Sequence, residues 1–253
     1  MYQFIYNFIV DQVEQAKTRT LYRPPLVGVA RADNPGLAQL KQIVGPSHLR
    51  PQDLLPEAQA VVAFFIPFTE ALIQLHRKEA YISREWAEAY IETNQLISQI
   101  CTALVEALQK KGVQAAWQPA THNFDTKTLA SYWSHKHVAY WCGLGTFGLH
   151  QMLITPSGCA GRLGSLVLDC AMPATPVWQQ DFCLYRGEQK CAACTRLCPT
   201  GALTKDGLDK ARCYQHLLEV NAYYADLGLC DVCGKCAVGP CALRAPTIKK
   251  GKA

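Results

Sequence analysis

The residues with the most evident chemistry are cysteines. Nine of the chain's thirteen lie between 183 and 241: Cys183, Cys191, Cys194, Cys198, Cys213, Cys230, Cys233, Cys236 and Cys241. Cys101, Cys142, Cys159 and Cys170 are scattered singly through the preceding two thirds. In a reducing compartment such crowding points to metal ligands rather than disulfides, and an odd total argues against complete pairing. Thiolates are soft donors that suit iron, and a C-x2-C turn aims two of them at adjacent corners of one cluster. The run Cys191-x2-Cys194-x3-Cys198-Pro199 is the latter part of the C-x2-C-x2-C-x3-C-P spacing, in which the cysteine before proline ligates a different cluster from its predecessors.

Bacterial ferredoxins carry that spacing in full. Here Glu188 stands in the place of the first cysteine, and Cys183 is the nearest substitute. Cys233-x2-Cys236-x4-Cys241, with Cys213 between the groups, supplies the remainder. The ligands expected for two [4Fe-4S] clusters are therefore Cys183, Cys191, Cys194, Cys198, Cys213, Cys233, Cys236 and Cys241. Cys230 is read as the spare, since 233, 236 and 241 then give two ligands to one cluster and the last to the other. A register using Cys230 and Cys233 with Cys236 competes. Zinc ribbons also use paired C-x2-C groups, but the third close cysteine, the Cys-Pro and the following "PTGAL" favour iron and sulfide. The formal charge of +5 counts every thiol as neutral. Two clusters at about −2 each bring it to roughly +1, so the basicity is a weak pointer to nucleic acid.

A domain boundary is expected near residue 178, where the cysteine-poor and cysteine-rich parts meet at "AMPATPVW" with Pro173 and Pro176. This gives a larger domain over 1–178 and a ferredoxin-like domain over 179–253. In the first, apolar runs at 25–33, 60–68, 113–119, 150–156 and 164–169 read as strands. Helical periodicity marks 83–111, with Ser83 as N-cap and Gly112 as stop, and a second helix is expected over 126–142. Strands alternating with helices give an α/β or α+β sandwich. The N-terminus lacks the features of a signal peptide, and Asn7 and Asp11 interrupt it short of a membrane span; a soluble cytoplasmic protein is expected. The basic tail 249–253 reads as a solvated terminus.

The stretch "SHKHVAYWCGLGTFGLHQMLITPSGCAGRLGSLVLD" at 134–169 sets Gly143, Gly145 and Gly148 between a helix and a strand. There backbone can approach something large and flat, or simply turn tightly. The order is the reverse of a dinucleotide fingerprint, which follows a strand and opens a helix. Lys136 suits a cofactor phosphate or carboxamide. His135, His137, Tyr132, Trp133 and Cys142 read first as packing residues, and Asp125 as a cap.

That stretch, with "LLPEAQAVVAFFIPF" before it and "CAACTRLCPTGAL", "LDKARCY" and "CGKCAVGPC" after it, resembles the epoxyqueuosine reductase and reductive dehalogenase superfamily. The likeness is greatest to short members with only a cobalamin-type and a ferredoxin domain. The resemblance implies a base-off cobalamin on the larger domain, reduced through two four-iron clusters for a two-electron reduction. It implies cofactor contacts at Lys136, Gly143, Leu144, Gly145 and Gly148, and a proton donor at Asp125. It also implies an external electron donor such as ferredoxin or flavodoxin. Leu149 stands where the family often has lysine. The helical repeat region that meets tRNA in established epoxyqueuosine reductases has no counterpart after the cysteines, so a small molecule or modified nucleoside is expected rather than tRNA. No D-x-H-x2-G stretch supplies a lower histidine ligand, which leaves the base-off mode. The alternative reading is a non-catalytic electron-transfer or corrinoid-activating protein, and a flavin in place of the corrin is a third.

Overall fold

The apolar run at 60–67 becomes a strand, Ala60–Pro67, all of whose residues are buried. A strand apolar on both faces needs a cover on each. It pairs antiparallel with Leu26–Arg31 on one side and Gly161–Leu168 on the other, and Ala115–Trp117 joins the far edge of Gly161–Leu168. Val62, Phe64 and Ile66 face a layer formed by Tyr2–Glu14 and Arg84–Gln109 through Ile5, Ile9, Ile97, Ile100 and Leu104. Val61, Ala63 and Phe65 face His135–Trp141 and the short helices Pro35–Ala38 and Leu40–Ile43. The architecture is thus an antiparallel sheet between two helical layers. Each large apolar side chain so enclosed contributes about 1.5–3 kcal/mol. This computed structural model describes residues 1–247, and the tail 249–253 lies outside the described residues.

The long helix keeps its expected cap, the Ser83 hydroxyl accepting from Trp86 N–H at 3.4 Å. The second expected helix is shorter than 126–142 and begins at His135. Residues ahead of it form the hairpin Phe124–Asp125/Ala130–Ser131, with Leu129 in the left-handed region at φ +53°. The Asp125 carboxylate accepts from Lys127 N–H and Thr128 N–H at 2.9 and 2.7 Å, and that local turn competes with helix. The strand expected over 150–156 is reduced to Leu153–Ile154, paired with Thr146–Phe147 outside the main sheet. Helix Tyr2–Glu14 was not anticipated, although the four-residue spacing of Ile5, Ile9 and Val13 carries its signal.

The cysteine-rich segment shares a core with the sandwich. Phe68, Ile73, Ile82 and Trp86 pack with Val220, Tyr224, Cys230, Val238 and Ala242. Cys159 and Ala160 N–H, just ahead of strand Gly161–Leu168, donate to the Cys241 and Ala242 carbonyls at 3.0 and 3.2 Å. The proline-bearing connection lies along the edge strand, with Thr175 N–H donating to Val29 O at 2.8 Å and Val29 N–H to Thr175 Oγ1 at 3.0 Å. Among the described residues no helix is long and apolar enough to cross a membrane.

One buried polar chain ties the layers together. Trp133 Nε1–H donates to Ser165 Oγ at 2.9 Å, Ser165 donates to His135 Nδ1 at 2.8 Å, and His135 Nε2–H donates to Pro119 O at 3.0 Å. Every member is satisfied with His135 neutral, and burial pushes its pKa down to about 4. The unfolded chain takes up a proton near pH 6.5 and the folded one does not. Stability is therefore complete above that pH and falls as pH drops toward 4, His135 accounting for about 3 kcal/mol of the loss. Urea unfolding between pH 7 and 4 should show this acid limb, less steep in His135→Gln; an unchanged slope would contradict the neutral assignment.

Candidate metal centres and the adjoining cavity

The nine clustered cysteines divide into two sets and a remainder. Cys183, Cys191, Cys194 and Cys241 line one cavity, together with His150, Leu149 and Pro240. Cys198, Cys213, Cys233 and Cys236 line a second, of about 240 Å³. The chain builds the first set from Cys183 at the N-cap of the short helix Leu184–Glu188, Cys191 in the loop after it, Cys194 on the short helix Ala193–Leu197, and Cys241 near the C-terminal end of the described segment. Cys213 of the second set sits on Lys210–Tyr223, whose start is capped by Asp209 accepting from Arg212 N–H at 2.9 Å. Cys230 lines neither cavity and is fully buried in the shared core, its thiol pushed up to about 11 by burial and then by Asp231.

Several of these thiols are held in the neutral form by burial and by one another. Burial, followed by the like charges of Cys241, Cys183 and Cys191, pushes Cys194 up to about 11. Burial raises Cys233 to about 11, Cys213 and Cys198 adding to it. Cys236 is driven up by burial and then by Cys233, Cys213, Cys194 and Cys198, so this thiol adjoins both sets. Four thiolates cannot ionise side by side unless positive charge lies among them. Cys198 behaves differently: burial pushes it up, but the Thr200 hydroxyl and the N–H groups of Leu203, Thr200 and Ala202 outweigh this, and its pKa falls. The turn after the Cys-Pro thus aims donors at one sulfur. His216, three residues after Cys213, leaves Nε2 buried with no partner while lining the same cavity. Soft donors in fours and an orphaned polar atom beside them fit a sulfide-bearing iron cluster in each cavity.

Helix Glu70–Lys78 grips the loop that carries Cys233 and Cys236 of the second set. Ser83 N–H donates to His76 Nδ1 at 3.3 Å, leaving Nε2–H to donate to Cys233 O at 2.9 Å. Arg77 donates to Val238 O at 2.6 Å and Gly239 O at 3.0 Å, while Lys235 reaches back to the His76 and Glu79 carbonyls at 2.6 and 2.7 Å. Sequence reasoning found neither this helix nor its clamp. Their signal was the Thr69 cap and the basic cluster His76, Arg77 and Lys78 at the helix end.

A further cavity of about 260 Å³ adjoins the second cysteine cavity, the two sharing Met152, Cys159, Gly161 and Arg162 as walls. Its lining includes Thr121, Asn123, Ser131 and Lys136. The neighbouring cavity adds the apolar walls Phe68, Trp86, Leu203 and Leu208. The second cysteine cavity thus has apolar walls beyond its sulfurs, and the adjoining one has amide-, hydroxyl- and ammonium-bearing walls. At the junction Tyr90 O–H donates to Asp231 Oδ1 at 2.5 Å, His122 Nε2 lies 3.4 Å from that carboxylate, and the Arg162 guanidinium stacks on the Tyr90 ring at 4.5 Å. Asp231 is the one carboxylate in the lining of either cavity, and it follows the spare cysteine with no motif to mark it.

The candidate residues from the glycine segment fare differently. Lys136 lines the adjoining cavity, its Nζ donating to Gln151 O at 3.0 Å and its pKa pushed down by burial. Gly143, Leu144, Gly145 and Gly148 line none of the described cavities. Gly143 has φ +72° and lies against Pro176 O and Thr175; a Cβ on Gly145 would enter the Ile154 carbonyl and one on Gly148 the His150 ring. Leu144 belongs to the core beside the sheet. The close approach these glycines permit is to the protein's own backbone and side chains. Asp125 sits on the exposed hairpin, outside the same cavities, and bonds from Thr128 backbone and hydroxyl hold its carboxyl below the usual range. In this conformation it holds a turn.

No family model matches the chain. It is 26% identical over 175 residues to epoxyqueuosine reductase of Salmonella typhimurium, covering 68% of this chain and 43% of that protein. It is 26% identical over 180 residues to that of Escherichia coli, covering 68% and 44%. The chain thus spans less than half the length of these curated relatives. Among solved structures, epoxyqueuosine reductase bound to a tRNA-Tyr stem loop superposes with a TM-score of 0.59 at 18% identity, covering 95% of this chain and 66% of that one. A catabolic reductive dehalogenase superposes at 0.58 with 16% identity, covering 87% and 30%. At these identities the structures share the fold.

If the glycines serve packing, Gly145→Ala should destabilise by about 2 kcal/mol or more and lower Tm by roughly 5 °C, alike in iron-loaded and iron-free protein. An unchanged Tm accompanied by loss of a bound cofactor would return the glycines to a cofactor role.

Proposed function

Sequence and fold support membership of the epoxyqueuosine reductase and reductive dehalogenase superfamily, and on that premise we propose that this protein is an iron-sulfur, cobalamin-type reductase. The observation that carries the reading is the separation of eight cysteines into two adjoining quartets beside a cavity. Cys183, Cys191, Cys194 and Cys241 would hold one [4Fe-4S] cluster, and Cys198, Cys213, Cys233 and Cys236 the other. When bound, the clusters store single electrons and a base-off cobalamin supplies a two-electron centre.

The chain's own residues have separate tasks. The clamp of His76, Arg77 and Lys235 fixes the Cys233–Cys236 loop, which keeps the second quartet at the wall of the cavity. Cys236, bordering Cys194, brings the quartets within range for electron exchange. Phe68, Trp86 and Leu208 exclude water from the cavity, while Lys136 and Asn123 offer hydrogen bonds to carboxamides or a phosphate. Tyr90 and Asp231, hydrogen-bonded at the cavity junction, are the groups able to hold and move a proton there. Asp125 remains a proton donor only if its hairpin moves; a relative from Bacillus subtilis has been solved with a catalytic aspartate loop swung out of its active site. The substrate class is a small molecule or a modified nucleoside, and the tRNA stem loop in one relative's complex adds tRNA to the substrates to be tried.

Anaerobically purified protein should contain about eight irons with matching sulfide. Cys236→Ala should lose about four of them, and Cys230→Ala none. Zinc without iron, or iron loss in Cys230→Ala, would overturn the ligand assignment. Cobalamin added to the loaded protein should be retained with a base-off spectrum. Full iron without retention would instead support an electron-transfer protein.

A further inference from the structure

The loop 148–152 holds an imidazole in one orientation. Gly148 N–H donates to Met152 O at 2.9 Å and Gln151 N–H to Gly148 O at 3.0 Å, closing the loop around a left-handed Gln151 at φ +63°. Gly148 leaves the space that the His150 ring fills. Met152 N–H donates to His150 Nδ1 at 3.1 Å. A neutral ring therefore carries its proton on Nε2, which lies 3.3 Å from Cys241 Sγ. The ring is 4% exposed and borders both cysteine-lined cavities.

Cys159 completes the surroundings of the same sulfur. Its buried thiol lies 3.7 Å from Cys241 Sγ and 3.4 Å from Ala237 O, either of which can take its single proton. The donor atoms of His150, Cys159 and Cys241 all fall within 4.8 Å of one another, a spacing that a single metal ion could also use. The tautomer argues against it. Ligation through Nε2 would shift the ring proton to Nδ1, directly against Met152 N–H. The imidazole is built to donate to a thiolate.

Resting on the two-cluster reading, we propose that His150 is a positioning residue for the cluster of Cys183, Cys191, Cys194 and Cys241: its Nε2–H binds the Cys241 sulfur and raises that cluster's reduction potential. The physical basis is charge. A cluster gains negative charge on reduction, so a fixed donor at its ligand sulfur stabilises the reduced form more than the oxidised one. A charge-assisted hydrogen bond is of a size to change the reduced-to-oxidised ratio about tenfold at fixed potential, or about 59 mV for a one-electron couple.

The test is an EPR-monitored redox titration of anaerobically loaded protein, with iron content measured on each sample. His150→Met and His150→Phe remove the donor; His150→Gln retains one near the Nε2 position. In the donor-free variants one cluster should titrate at a lower potential by roughly the stated shift while the other stays, and His150→Gln should restore the wild-type value. If both donor-free variants lose about four irons and His150→Gln keeps them, the donor is required to hold Cys241 as a ligand, which also supports the proposal. Unchanged potentials with full iron would overturn it, as would iron loss in all three variants, because ring shape and not the proton would then matter. Wild-type protein without iron clusters would instead remove the two-cluster reading.

Discussion

Thiols crowded together in a protein interior repel ionisation, and that constraint organises the C-terminal third of this chain. Cys194, Cys233 and Cys236 are each held in the neutral form by burial and by the sulfurs around them. Such groups become ligands only when positive charge is placed among them. The scaffold accordingly supplies what an isolated cysteine motif cannot: a frame that gathers eight sulfurs into two groups. It also supplies selective relief, with the Thr200 turn lowering Cys198 and the contacts of Cys159 and His150 lowering Cys241.

The frame is the antiparallel sheet. The backbone just ahead of strand Gly161–Leu168 bonds to Cys241 and Ala242, and helix Glu70–Lys78, which follows strand Ala60–Pro67, clamps the loop from Cys233 to Gly239. The two central strands therefore deliver the partners of both quartets. The glycines at 143–148 act on the same frame from the other side, since their missing side chains let a loop close on Ile154 and His150. Fold and site share these contacts, which is why the cysteine segment and the sandwich have a core in common.

What the sequence made legible was local. Cysteine spacing, the Cys-Pro and the Ser83 cap are statements about neighbours within a few residues, and apolar runs such as 60–67 report burial directly. The antiparallel pairing was not legible, because a strand covered on both faces reads the same whichever way its partners run. The glycine segment was ambiguous for a related reason: glycine signals close approach without naming what approaches. Asp125 read as a helix cap ahead of a proton donor, and the hairpin that holds it was not legible because its turn bonds, from Lys127 and Thr128 N–H, compete with the helix expected there. Asp231, Tyr90 and the His76 clamp meet only through long-range folding, across 157 residues for His76 and Cys233 and 162 for Arg77 and Gly239, and no local pattern could announce them.

On the proposed ligand sets, Cys183/191/194/241 and Cys198/213/233/236, two iron clusters would lie side by side. Low-temperature EPR of the fully reduced protein tests it most directly, because paramagnetic clusters that are close neighbours couple. The account predicts a broad, split spectrum that simplifies to one uncoupled signal when a single cluster is reduced. A fully reduced spectrum that is the plain signal of one isolated cluster, or that contains no cluster signal, would contradict it.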